Sequence, residues 1–417
     1  MLDYIKKLVS TRLGHNILSG QIVVLLKFGL FFVAYPVYIN FLDYEVYGVW
    51  LLLTSVLSLA QVGNLGVFQA LAKLVSEECG QQNQQAVQSY LSSAILILLI
   101  IGVTIAIPIL FGANAIAEIG GLQEEQRLLF VDFVPEIALL SILAMLAQAN
   151  MGALAGLGRY DLANYIDISG KIAGFIVSLC LLLAGQLLLA MVAGQLITWV
   201  IIFVAGAHRI STIAKIRFFK TSSISTKQTK RLLTFGSKLL VGNFFNLLFG
   251  PINKFFLARF AGVDQIPIYE IAHNGGQQVR AVIEGGYRAL MPEISSLAAQ
   301  IDKASSAKLV LMRAKSMKIV LGLGTPLYLC LAAAANLIFQ FWLGEALAPG
   351  QIEAFRWMLL ASFINLINMV PYYFLLGLGR AGECSGIIVI QSLISILCTF
   401  AILFLSGALT VIGLIIS

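Results

Sequence analysis

The sequence predicts an all-α membrane protein made of two six-helix bundles, related by a pseudo-two-fold axis along the membrane normal. Three observations predict it. Apolar runs of about 20 residues recur along the whole chain, each long enough to cross roughly 30 Å of hydrocarbon as a helix. Only 11% of the 417 residues are charged and mean hydropathy is +0.92, whereas a soluble domain carries about a quarter charged residues. Landmarks also repeat at an offset of roughly 220 residues. Gly156-Leu157-Gly158-Arg159 returns as Gly377-Leu378-Gly379-Arg380, Tyr47 corresponds to Tyr269, and Ala70-Leu71 to Ala289-Leu290. The short alternating strands of a β-barrel are absent from the sequence. Repeated membrane halves are a signature of alternating access, with binding between them.

The elements follow in order. Residues 1–14 interleave Lys6, Lys7 and Arg12 with Leu2, Ile5, Leu8 and Leu13, which predicts an interfacial amphipathic segment. Spans 1 to 6 are expected at about 18–41, 46–72, 88–111, 129–153, 162–184 and 187–207. Spans 7 to 11 are expected at about 232–258, 267–291, 317–342, 355–377 and 384–406. A twelfth starts near Leu409 and has only about half a span before Ser417, so an incomplete last helix is expected. The N-terminal bundle is then 1–207, the C-terminal bundle 232–417, and a basic linker covers 208–231.

Charge placement tests this plan, because Lys and Arg concentrate in cytoplasmic loops. With the N-terminus inside, the inner connections carry Lys6, Lys7, Arg12, Lys73, Arg159 and the run from Arg209 to Arg231. They also carry Lys303, Lys308, Arg313, Lys315, Lys318 and Arg380. The outer ones carry Asp43, Glu45, Glu118, Glu124, Glu125, Asp264, Glu345 and Glu353. Arg127, Arg259 and Arg356 are exceptions at helix edges. A multi-pass protein with a cytoplasmic N-terminus is expected. Its net charge of +7 reflects this placement and not a nucleic-acid partner. The linker reads as a solvated stretch near anionic membrane lipids. Cys79, Cys180, Cys330, Cys384 and Cys398 follow no metal-ligand spacing and read as buried small hydrophobes.

Polar residues inside spans are costly and mark cavities or partners. In span 8, His273, Gln277, Arg280, Glu284 and Arg288 are spaced by four, three, four and four residues, which puts them on one helical face. That face reads as a net-positive cavity wall, with an internally neutralised packing ladder as the alternative. Span 7 carries Asn243, Asn246, Asn253 and Lys254. Span 2 carries Thr54, Ser58, Gln61, Asn64 and Gln69, and span 10 carries Asn365, Asn368 and Tyr372. Each stripe fits cavity lining and helix packing equally. Lys27 in span 1 is a further cation. Asp167 with Lys171 forms an i,i+4 pair in span 5, as do Asp132 and Glu136 in span 4. Asp132, Glu136 and Asp167 are candidate coupling groups for H+ or Na+, since burial raises a carboxylate pKa.

Several functions are excluded or disfavoured. No Walker A sequence, H-E-x-x-H or G-x-S-x-G motif occurs, and no hydrophilic loop is large enough for a catalytic domain. No catalytic residue, metal site or cofactor is expected. A membrane glycan polymerase or transferase would need positioned acid-base groups. An ion-coupled drug exporter would need an acid-rich lumen, against the basic wall of span 8.

The stretch Phe41-Leu42-Asp43-Tyr44-Glu45-Val46-Tyr47-Gly48-Val49-Trp50 resembles the helix 1–2 junction of polysaccharide flippases, and Gly63-Asn64-Leu65-Gly66 resembles the later part of their helix 2. Ala155-Gly156-Leu157-Gly158-Arg159-Tyr160 is similar to their helix 4–5 turn. Arg259-Phe260-Ala261-Gly262 with Ile268-Tyr269-Glu270-Ile271-Ala272 is similar to their helix 7–8 junction. The chain thus resembles, over nearly its full length, Wzx-type O-antigen or polysaccharide flippases of the multidrug/oligosaccharidyl-lipid/polysaccharide (MOP) exporter superfamily. The resemblance implies a bacterial inner-membrane protein that moves undecaprenyl-diphosphate-linked oligosaccharide to the periplasmic leaflet, beside other polysaccharide-assembly proteins. Lys27, Gln61, Asn64, Asn246, Asn253, His273, Gln277, Arg280, Glu284 and Arg288 would line its lumen. Members often carry an acid where this chain has Asn64 and Asn253, a departure that bears on cation coupling at those positions.

Overall fold

The computed structural model describes residues 12–64, 66–217, 219–288, 294, 297, 303–378, 380–406 and 410–416. All regular structure among them is helical. In hydrocarbon every backbone N–H and C=O must be satisfied internally, and a helix does this within one segment. Among the described residues, eight stretches are long and apolar enough to cross a membrane. Their outer faces are apolar as well. Phe341 is 91% exposed and Leu139 is 69% exposed, on helices whose other faces pack inward. Such surfaces fit lipid as the surrounding medium.

The chain divides into two compact units, residues 1–255 and 256–417. The first holds α1 (Arg12–Gln61), α2 (Val67–Gly80), α3 (Gln84–Phe111), α4 (Ala113–Ile119), α5 (Glu124–Gly156), α6 (Tyr160–Leu183) and α7 (Leu187–Ala214). It also takes most of α8 (Thr226–Phe260).

Expected spans 1 and 2 share α1, which breaks at Asp43 (φ 59°, ψ 179°). That conformation costs a non-glycine residue about 1–3 kcal/mol. Asp43 Oδ1 offsets the cost by accepting hydrogen bonds from the backbone N–H of Glu45 (2.9 Å) and Val46 (3.0 Å). It therefore caps the second half of α1.

Span 2 was expected to be continuous to residue 72, and the structure corrects this. Helix stops at Gln61, turns through Val62–Asn64 as a 3₁₀ segment, and restarts at Val67. The cause is at Gly66, whose φ is +69°. A Cβ there would also lie 2.6 Å from the Gly236 carbonyl oxygen of α8. Only glycine meets both demands.

The chain re-enters helix with recognisable caps. Asn83 Oδ1 accepts from Ala86 N–H at 3.2 Å to start α3, and Gln123 with Gln126 forms a capping box at the start of α5. The linker is mostly exposed, yet it is also tied to the first unit at several points. Gln88 Nε2 donates to the Arg217 carbonyl at 2.6 Å, and Ser92 Oγ accepts from Lys220 N–H at 3.1 Å. Arg231 then pairs with Glu77 at 2.7 Å and donates to Tyr90 Oη at 3.0 Å. The basic stretch is thus fastened to α2 and α3 of the first unit.

In the second unit, α9 (Gln265–Arg288), α10 (Lys303–Leu343), α11 (Gln351–Gly377), α12 (Ala381–Ser406) and α13 (Val411–Ile416) assemble around α11. A Cβ on Gly275 would lie 2.9 Å from the Phe355 ring, so α9 approaches α11 closely. Helices α8 and α9, expected as spans 7 and 8, fall outside the eight apolar stretches. Their polar stripes dilute their hydropathy. The cysteines also depart from expectation: Cys384 is buried, but Cys79, Cys180 and Cys330 are exposed on helix surfaces. For Cys180 and Cys330, inside apolar stretches, the burying medium is lipid and not protein.

Candidate functional site

The first unit contains a cavity of about 610 Å³, within the roughly 300–1,000 Å³ usual for ligand sites. Lys27 of α1, Gln61 at the end of α1 and Asn64 in the 3₁₀ turn line one side. Gln148 of α5, Asn164, Asp167 and Lys171 of α6, and Trp199 of α7 add further polar groups, with Gln69 of α2 and Tyr160 of α6 at its edge towards a second groove. The three α6 residues are spaced by three and four, so helical geometry alone aims them together. The break before Gly66 matters here, because it takes Asn64 off the helical register of α1.

Charge is concentrated on Asp167. Its Oδ2 is 2.7 Å from Lys27 Nζ and 3.1 Å from Lys171 Nζ. The sequence suggested the Lys171 contact, an i,i+4 pair. Lys27 arrives from another helix, so the pair becomes a triad with two cations and one anion. Among the described residues, the charged groups lining this cavity thus leave one positive charge in surplus. In a medium of low effective dielectric that surplus acts over longer distances than in water.

Beside the triad runs an amide relay. Asn64 Nδ2 donates to Gln148 Oε1 at 2.8 Å, and Gln148 Nε2 donates to Gln61 Oε1. Asn164 Nδ2 donates to Ser19 Oγ at 3.1 Å. Asn64 Oδ1 and Trp199 Nε1 are buried and take no hydrogen-bond partner among the described residues. One is an acceptor and the other a donor. Leaving such groups dry costs about 1–3 kcal/mol each, so they favour water or a hydroxylated ligand. A second groove of about 550 Å³ shares Phe68, Gln69 and Tyr160 with the cavity and continues to Lys73, Ser76 and Glu77. The polar surface therefore extends to the end of the unit that bears Lys73.

Replacing Gln148 with leucine tests the relay. It strands Asn64 Nδ2 and Gln61 Oε1, and is expected to cost about 1–3 kcal/mol. Thermal unfolding in detergent should show a lower midpoint. An unchanged midpoint would mean that water already serves both amides.

Other sequence-derived candidates lie elsewhere. Asn253 is buried in α8. The side chains of Asn246 and Arg288 lie outside the described residues. Asp132 is exposed on α5, and Glu136 is half-buried there, with Oε2 lacking a hydrogen-bond partner among the described residues. Neither lines the cavity. In the second unit, the His273 ring stacks on Tyr269 at 5.5 Å, and Gln277 is exposed. Arg280 Nε stands 3.5 Å from Glu284 Oε2, while Tyr373 Oη donates to Glu284 Oε1 at 2.6 Å. Part of the α9 stripe is therefore tied to α11.

Sequence reasoning missed Gln148, Asn164 and Trp199. Asn164 was legible, since it extends the Asp167–Lys171 face by one step. Gln148 shares its apolar run only with Asn150, two residues on and so on another face of the helix, and gave no periodic signal.

These features define a class: an all-helical, multi-pass membrane protein with a polar cavity inside one bundle. Solved structures show the same fold. An inward-facing multidrug resistance MATE family transporter of the MOP superfamily superposes with a TM-score of 0.72 at 15% identity, covering 93% of this chain and 89% of that one. A MOP superfamily transporter from Pyrococcus furiosus, described as having a binding pocket of reverse polarity, gives 0.62 at 16% identity over 99% and 91%. The fold is that of a MOP superfamily transporter. A family model described as polysaccharide biosynthesis protein matches residues 40–349, and the chain belongs to that family. No curated protein matches it significantly in sequence.

Proposed function

We propose that the protein flips an undecaprenyl-diphosphate-linked oligosaccharide, such as an O-antigen unit, from the cytoplasmic to the periplasmic leaflet of a bacterial inner membrane by alternating access. The observation that carries this reading is the chemistry of the cavity: surplus positive charge beside a chain of amides, in a chain of the polysaccharide biosynthesis family. Amides match sugar hydroxyls, and ammonium groups match phosphate. The lipid tail stays in the bilayer, while the headgroup, which cannot cross hydrocarbon unaided, moves through polar surroundings. The N-terminus is cytoplasmic, coupling to H+ or Na+ supplies the driving force, and no cofactor or catalytic residue takes part.

The same fold occurs in multidrug transporters, so the test must separate the two substrates. Deleting the gene should abolish surface polysaccharide and leave drug susceptibility unchanged. The wild-type gene should restore the polysaccharide, whereas Asn64→Leu, which removes the relay's first donor, should restore it poorly at equal protein level. Normal polysaccharide with heightened drug sensitivity in the deletion strain would overturn the proposal.

A further inference from the structure

We propose that the Lys27–Asp167–Lys171 triad is a masked diphosphate site, in which Asp167 holds the place of the ligand's anionic group and competes with it. The inference rests on the flippase reading above and assigns one part of the headgroup to one part of the cavity.

One carboxylate oxygen lies within 3.1 Å of both ammonium groups. This is how two lysines grip an anion from a ligand, except that the anion belongs to the protein. Lys27 and Lys171 come from different helices, each side chain only 37% exposed, so they present two donors to a common point in the cavity. A diphosphate diester, which joins a lipid to a sugar, carries two negative charges. Two lysines balance that dianion, while Asp167 balances only one of them. The site is therefore better matched in charge to the ligand than to its own occupant. Asn64 Oδ1, buried in the same lining without a partner among the described residues, is placed to meet a hydroxyl of the attached sugar.

The competitor has a use. A transport site must bind strongly enough to load and weakly enough to release. An internal carboxylate lowers affinity without removing the lysines, and returns to them when the headgroup leaves. It also keeps two like charges from facing each other in the empty cavity, where the repulsion would be costly.

Binding to purified full-length protein in lipid nanodiscs tests this, with farnesyl diphosphate as the probe, inorganic diphosphate as the free-anion arm and farnesol as the uncharged control. Asp167→Asn should bind farnesyl diphosphate about tenfold more tightly than wild type, and Lys27→Gln and Lys171→Gln about tenfold more weakly. Farnesol binding should be the same in all four proteins, which a general loss of structure would not allow. If inorganic diphosphate follows the same order, the site reads the phosphates themselves. If it binds none of the four, the lipid is needed to deliver them. Both results keep the site. Equal or weaker binding of farnesyl diphosphate by a folded Asp167→Asn protein would overturn the proposal. If that variant does not fold, unchanged diphosphate binding in Lys27→Gln and Lys171→Gln would overturn it instead. Either failure would leave the deletion-strain result untouched, so the flippase reading stands or falls separately.

Discussion

Gly194→Leu is expected to prevent the N-terminal unit from assembling. Helices α6 and α7 meet through glycines. A Cβ on Gly194 would lie 2.7 Å from the Gly174 carbonyl oxygen, and a Cβ on Gly174 would lie 2.5 Å from that of Gly194. Ser178 Oγ and Thr198 Oγ1 crowd the same crossing. Ser178 Oγ also donates to the Ala190 carbonyl at 3.0 Å, a bond between the two helices. Without a hydrophobic force between helices in lipid, close backbone approach supplies the van der Waals contact that holds them. The obstacle to a larger residue is backbone, which cannot rotate aside. A leucine must push the helices apart, at a cost we put at about 3 kcal/mol or more. Because α6 carries Asp167 and Lys171 while α7 carries Trp199, the cavity would lose its shape as well. Gly29 on α1 is the control, since no atom of the described residues lies within 4 Å of its would-be Cβ. Size-exclusion profiles and melting curves in detergent should show Gly29→Leu near wild type and Gly194→Leu aggregated or strongly destabilised. A normal melting curve for Gly194→Leu would show that this crossing is looser than its distances say.

The second large effect is expected at Glu284. Its carboxylate accepts from Tyr373 of α11 at 2.6 Å and pairs with Arg280 at 3.5 Å. The Glu284 side chain is 16% exposed and that of Arg280 28%. Removing one partner of such a pair leaves the other charge without its compensation, and costs about 3–5 kcal/mol when the pair is buried. Glu284→Leu should therefore lower stability by about twice as much as Tyr373→Phe, which deletes one hydrogen bond worth about 1–3 kcal/mol. The combined Arg280→Leu, Glu284→Leu protein should recover much of the loss, since apolar replacement of a whole buried pair is often neutral. The same protein separates packing from transport. If it is stable and still restores surface polysaccharide, the α9 pair is structural. If it is stable and restores none, the charges act on the substrate.

Much of the architecture was legible because its signals are local. Apolar runs report spans, since each helix must satisfy its own backbone in lipid. Basic clusters give an expectation of sidedness, because positive loops are retained inside. The Asp167–Lys171 pair was legible for the same reason, as i,i+4 spacing is a property of one helix. The break before Gly66 is hard to read from sequence, because isolated glycines are tolerated in membrane helices, and the positive φ of Gly66 and the close Gly236 carbonyl oxygen belong to the folded chain.

Hydropathy and loop charge, then, determined by themselves that this chain is a helical, multi-pass membrane protein with polar stripes. Tertiary structure alone decided that Lys27 reaches Asp167 from a different helix, that Gln148 bridges Gln61 and Asn64, and that the basic stretch is fastened to α2 and α3 through Glu77, Tyr90, Gln88 and Ser92. The physical reason is that periodicity states which face of a helix is polar, whereas the rotation and depth at which two helices pack are set by small residues and side-chain volumes distant in the chain, and those settle which polar atoms meet.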